Sequence, residues 1–107
     1  MPYQADWQEE SVTREELDAL SGVTLLEFGA EWCPHCIAVQ ELLREKLSLS
    51  DLRHLKIADG RGKPLGRSFR VKLWPNFVLV KDGKVRAQLA RPSIEELTTL
   101  LDQALSQ

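Results

Sequence analysis

The apolar run from Val23 to Phe28 is interrupted only by Thr24 and Glu27, ends at Gly29, and leads through Trp32 into Cys33-Pro34-His35-Cys36. A near-continuous run of this kind fits a strand buried on both faces, which places it at the centre of a covered sheet. Gly29 to Trp32 reads as a loop. Pro34 suits the first turn of a helix, where its missing N–H costs nothing. Strand, loop and helix start therefore follow one another closely, with two thiols at the junction.

The rest of the chain reads around that junction. Thr13-Arg14-Glu15-Glu16 is a capping box opening a short helix, with Leu17 and Leu20 on one side and Gly22 as its stop. The helix beginning at Pro34 is predicted to reach about Leu47, with Cys36, Gln40, Leu43 and Leu47 on one face and Val39 beside it. Leu52 to Ala58 reads as a second strand, Asp59 to Lys63 as a turn, and Pro64 as the start of a short helix ending near Arg70. Asn76 to Val80 is a third strand. Lys81-Asp82-Gly83-Lys84 signals a hairpin, because Asp-Gly accepts the positive φ values of a tight turn, and Val85 to Leu89 returns antiparallel. Ser93-Ile94-Glu95-Glu96 is a second capping box, and Ile94, Leu97, Leu100, Leu101 and Leu105 follow at helical spacing. This order predicts an α/β fold, one domain over 1–107, with a central mixed sheet flanked by helices on both faces. His54 and Trp7 are read as structural residues.

Bulk properties narrow the function. A chain of 107 residues with 43% apolar content can bury one core. A net charge of −2 and the lack of a nucleic-acid footprint set DNA and RNA aside. The cationic stretch from Arg61 to Lys72 reads as a solvated loop and helix. No apolar run is long enough to span a bilayer. Read from Met1, the segment to Val12 carries Asp6, Glu9 and Glu10 and no signal pattern, which predicts a cytoplasmic protein. The only cysteines lie three apart, too few and too close for a disulfide framework. A closed zinc site needs about four ligands, and His35 between the thiols does not join them easily on one ion. No metal and no cofactor are expected.

At a helix start the two thiols become unequal. Cys33 meets the unpaired N–H groups and the positive end of the helix dipole, which favour thiolate. Cys36 lies deeper, on the core side. Cys33 is thus the attacking thiol on a substrate disulfide and Cys36 the one that resolves the mixed disulfide. Pro34 stiffens the turn. His35 either donates to the Cys33 sulfur and makes the couple more oxidising, or stands exposed with no electronic role.

The segment Glu27-Phe28-Gly29-Ala30-Glu31-Trp32-Cys33-Pro34-His35-Cys36 resembles that of the thioredoxin family. Trp74-Pro75 is similar to its cis-proline site and Lys81-Asp82-Gly83-Lys84 to its hairpin, so the likeness runs from about Val12 to Leu105. The resemblance implies the thioredoxin fold, a cis bond before Pro75 that leaves nearby backbone to pair with an extended peptide, and an active-site flank at Trp32. It also implies protein disulfides as substrates and a reductase or other thiol donor for recycling.

Four departures qualify it. Glu27 stands where the family has a buried Asp that assists the resolving cysteine. A carboxylate in an apolar strand is expected to have a raised pKa and to act as that base, unless it turns to solvent at the strand end. Pro34-His35 replaces Gly-Pro and resembles the dipeptide of periplasmic disulfide oxidases. Trp74 brings bulk to the peptide groove. Ala90-Arg91 replaces a small, Gly-containing edge, where Arg91 either steers acidic substrates or solvates the rim. The sequence thus predicts a monomeric protein-disulfide oxidoreductase, more oxidising than a typical thioredoxin. The alternative is a module that holds one partner through the groove at Trp74 and Pro75 with little turnover.

Overall fold

The computed structural model describes residues 2–9 and 12–107. Met1 and Glu10, both used above for the chain start, lie outside the described residues, as does Ser11. The apolar run forms β1 (Val23–Gly29), buried from Thr24 onward. It pairs in parallel with β2 (Arg53–Ala58) and antiparallel with β3 (Asn76–Lys81), which pairs antiparallel with β4 (Lys84–Ala90). The sheet order is β2-β1-β3-β4, the mixed sheet the sequence predicts.

Alternation along the strands builds two cores. Leu25, Phe77 and Leu79 pack with Leu43 and Leu47 of α3 (Gln40–Leu47) and Leu97, Leu100 and Leu101 of α5 (Ile94–Leu105). On the other face Leu26, Phe28, Val78 and Val80 pack with Leu17 of α1 (Arg14–Asp18), and with Leu65 and Phe69 from α4 (Pro64–Ser68) and its end. Both capping boxes form, on Thr13 with Glu16 and on Ser93 with Glu96. The hairpin tip turns through Asp82 (φ 50°) and Gly83 (φ 80°), the left-handed pair expected of this sequence.

Strands β3 and β4 run a residue further than predicted, and three other boundaries differ for a visible reason. The helix predicted from Pro34 to Leu47 is two, α2 (Pro34–Ala38) and α3, broken at Val39. At the break the Cys36 carbonyl accepts from the Gln40 side chain, Nε2 at 2.8 Å, so a side chain enters the helical ladder. β2 starts at Arg53 because the Leu52 N–H is taken by Ser50 Oγ. α4 ends at Ser68 because Arg70 turns left-handed, φ 59°, and closes a tight turn onto the Arg67 carbonyl. Residues 3–8 run along the free edge of β2, where Gln8 N donates to Lys56 O at 2.9 Å and Ala58 N donates to Gln8 O at 2.8 Å. Among the described residues no helix is long and apolar enough to cross a membrane.

Candidate active site

Strand register brings four loops to one end of the sheet. Phe28 pairs with Asn76, so the cysteine loop after β1 meets the Trp74-Pro75 turn before β3. Asn76 pairs with Ala90, which sets Arg91 beside Pro75, and Arg91 N donates to Pro75 O at 2.8 Å. Gly29 pairs with Ala58, and Asp59 N donates to Gly29 O at 2.8 Å. The Trp74–Pro75 bond is cis.

Both cysteines are free thiols. Cys33 is the N-cap of α2, and its Sγ accepts from the Cys36 N–H at 3.4 Å. Pro34 takes the first helical position, as expected. The donor to Cys33 is therefore backbone and not the His35 ring. His35 is exposed, which corrects the reading that it donates to the Cys33 sulfur. Cys33 is also more enclosed than the sequence suggested, buried with Cys36 and Ala30 under Trp7 and Trp74. Burial pushes the Cys36 thiol up to about 12, helped by its hydrogen bond with Cys33 and the nearby charge of Glu27. Gly29 is needed for this close packing: a Cβ there would lie 2.5 Å from Cys36 Sγ and 2.8 Å from Trp7.

Glu27 is fully buried, so it does not turn to solvent at the strand end. Its Oε1 accepts from His54 Nε2 at 2.9 Å and its Oε2 from Gln40 Nε2 at 2.8 Å. The Gln4 N–H donates to His54 Nδ1 at 3.0 Å, which assigns the ring proton to Nε2 and makes His54 the donor to Glu27. Lys56, opposite Glu27 in the sheet, does not bond to it. Its Nζ donates to Gln40 Oε1 at 2.6 Å and to the Ala5 carbonyl at 3.0 Å, and burial lowers its pKa. Tyr3 completes the cluster, its OH donating to Gln40 Oε1 at 2.9 Å. The Gln40 amide thus links Glu27 to the Cys36 backbone.

His54 belongs to this network, a role the sequence reading missed. The available signal was period two: His54 and Lys56 alternate on one face of a strand that is otherwise apolar there. Trp7, expected to be structural, packs against the dithiol.

The outer surface is aromatic and basic. Trp32 is 73% exposed and meets Trp74 edge-to-face at 5.7 Å between centroids. Trp74 Nε1 donates to Asp59 Oδ2 at 3.0 Å. Pro75 is buried, while Ala90 and Arg91 are exposed. Arg91 Nε donates to the Trp74 carbonyl at 2.7 Å.

A dithiol capping a helix beside a cis-proline turn, on a mixed sheet covered on both faces, defines a protein of the thioredoxin fold. The thioredoxin family model matches residues 6–103. The chain is 31% identical over 96 residues to a thioredoxin of Chlamydia pneumoniae, covering 84% of this chain and 91% of that one. It is 22% identical over 99 residues to thioredoxin H3 of Arabidopsis thaliana, covering 92% and 81%. Thioredoxin 2 of Pseudomonas aeruginosa PAO1, solved in its reduced form, superposes with a TM-score of 0.76 at 44% identity, covering 94% and 99%. The chain belongs to the thioredoxin family.

Two outcomes follow from the buried groups. His54→Leu removes one donor from a buried carboxylate and is expected to lower unfolding free energy by about 3 kcal/mol, the scale for breaking a buried pair from one side; urea unfolding measures it. Folding raises the Cys36 thiol above its ordinary 9.0, so the folded chain keeps a proton that the unfolded chain releases. This contribution is complete below pH 9.0 and is lost as pH climbs towards about 12. Reduced wild type should therefore lose stability over that range relative to Cys36→Ser, as read by unfolding midpoints at stepped pH.

Proposed function

We propose that this protein exchanges protein disulfides through Cys33 and Cys36. What carries the reading is the asymmetry of the pair: Cys33 caps a helix and accepts a backbone N–H, while Cys36 is buried behind it with its thiol pushed up to about 12. In the first step the Cys33 thiolate attacks a substrate disulfide. A bond forms between Cys33 and one substrate sulfur, the substrate S–S bond breaks, and the other sulfur leaves as thiolate and takes a proton. Cys36 then loses its proton and attacks Cys33, releasing the second substrate thiol. The protein has given two electrons and ends as a Cys33–Cys36 disulfide. A reductase or other dithiol donor returns it to the starting form.

Glu27 is the group proposed to receive the Cys36 proton. It lies in the adjoining buried cluster, linked to Cys36 through Gln40. Trp32, Trp74, Pro75, Ala90 and Arg91 form the surface on which a monomeric protein would seat the extended substrate. Nucleic acid and membrane have no part in this reading.

Cys36→Ser should accumulate a mixed disulfide that is resistant to resolution, visible by non-reducing electrophoresis and mass spectrometry, and Cys33→Ser should not. Absence of trapping in Cys36→Ser would overturn the mechanism.

The more oxidising character of the couple rests on the Pro34-His35 dipeptide at the start of α2, without a bond from the ring to Cys33. If it holds, wild type equilibrated against glutathione should be more oxidising than Pro34→Gly/His35→Pro by about 30 mV or more, a tenfold change in equilibrium constant. Equal potentials would remove this part of the proposal.

A further inference from the structure

Beside the dithiol lies a basic surface that the exchange chemistry does not use. Gly60 to Lys72 contains Arg61, Lys63, Arg67, Arg70 and Lys72 and no carboxylate, in a chain of net charge −2. These side chains line a groove of about 550 Å³ together with Asp59. A second groove of about 440 Å³ shares Arg70 and Lys72 with the first and continues along Leu73, Asn76, Gln88 and Ala90. Leu73, Asn76 and Ala90 border the Trp74-Pro75 turn and Arg91, so the basic surface runs into the redox site.

The carboxylates at its rim are already engaged. Asp59 accepts from Trp74 Nε1, and Glu9 pairs with Lys63. Arg14, which lies over the Phe69 ring at 3.9 Å, is paired with Asp18 at 3.0 Å. By contrast Arg70 and Lys72 are exposed and make no side-chain hydrogen bond or ion pair among the described residues.

Backbone conformation sets two of these cations apart. The non-glycine residues with positive φ are Arg70 (59°), Asp82 (50°) and Arg91 (46°) among the described residues. Asp tolerates this region through its short polar side chain, and Asp82 sits in a hairpin turn. Arg70 closes a tight turn at the end of α4, but arginine lacks the short polar side chain that eases this backbone, so its side chain is the place to look for a role. Arg91 shows part of that role: Nε holds the Trp74 carbonyl at 2.7 Å, fixing the guanidinium at the mouth of the site. Its Nη groups make no other hydrogen bond among the described residues.

We infer that Arg91, Arg70 and Lys72 read acidic residues flanking the disulfide of the substrate polypeptide. This rests on the disulfide-exchange reading and adds the substrate class. A peptide whose cysteine meets Cys33 beside Pro75 passes Arg91 and enters the second groove, where a Glu or Asp finds Arg70 and Lys72. A guanidinium already held by Nε still offers two N–H groups to one carboxylate. A polypeptide fits this face better than a nucleic acid, because the cations continue the cis-proline site, where backbone can pair with an extended peptide.

The test is single-turnover exchange of the reduced protein with three synthetic peptides that share one disulfide loop and carry Glu, Gln or Lys flanks. Tryptophan fluorescence follows the rate. At low salt the Glu-flanked peptide should react at least tenfold faster than the Lys-flanked one, and the gap should narrow at high salt. Arg70→Gly/Arg91→Gly, which suits the left-handed backbone, should reduce that ratio to threefold or less. Lys72→Gln, at an ordinary backbone position, should lower it by a smaller factor. Equal rates for the three peptides in wild type, or an unchanged ratio in the variants, would overturn the inference while leaving disulfide exchange standing. Failure to react with any peptide would overturn both. A short single-stranded oligonucleotide that binds these arginines more tightly than the Glu-flanked peptide would overturn it in favour of nucleic acid.

Discussion

Glu27 carries a carboxylate to a place with no exposed surface, and its neighbours are arranged to meet that demand. An ionisable side chain removed from water is costly unless its oxygens find donors. Here one oxygen has His54 and the other Gln40. Each donor is itself held: His54 by the Gln4 N–H, and Gln40 by Lys56 and Tyr3. The segment of residues 3–8 is thus part of the site, because it supplies two of those contacts, from Gln4 and Tyr3, and the Ala5 carbonyl that receives Lys56. The same Gln40 amide that serves Glu27 also satisfies Cys36 O, where the helix breaks. Buried carboxylate, broken helix and Cys36 form one connected structure.

That connection explains how two thiols three residues apart come to have different chemistry. Cys33 sits where backbone N–H groups are available, and one of them points to its sulfur. Cys36 sits against Gly29 and Trp7 with no room to spare, near a carboxylate whose charge opposes a second anion. In the proposed exchange only thiolates attack, so Cys36 waits as a thiol until a mixed disulfide gives it a target. The order of the two proposed steps then follows from burial and charge.

Much of this was legible in the residues because the buried half obeys strong local rules. A run such as Val23 to Phe28 has few alternatives to a central strand. Pro34 marks a helix start, Asp82-Gly83 a hairpin, and two capping boxes mark two further helix starts. The cis bond before Pro75 came only from the family resemblance. What was not legible depends on contacts between segments distant in sequence. His54 acquires its role only when β2 pairs in parallel with β1 and Gln4 reaches over the edge. The break at Val39 depends on where the Gln40 side chain goes, which helical periodicity does not describe. His35 shows the converse: its position between the thiols suggested a bond that the backbone N–H of Cys36 makes instead.

The two halves of the site also differ in how tightly they are constrained. On the buried side nearly every group has its partners, so a substitution there disturbs several contacts at once. On the outer side Trp74, Arg91, Arg70 and Lys72 sit on loops and turns, where side chains change at little cost to the scaffold. Pressure for stability alone would favour glycine at the left-handed positions of Arg70 and Arg91. Arginine stands at both positions beside the buried dithiol, an arrangement in which the chemistry belongs to the fold and the proposed choice of substrate to the loops.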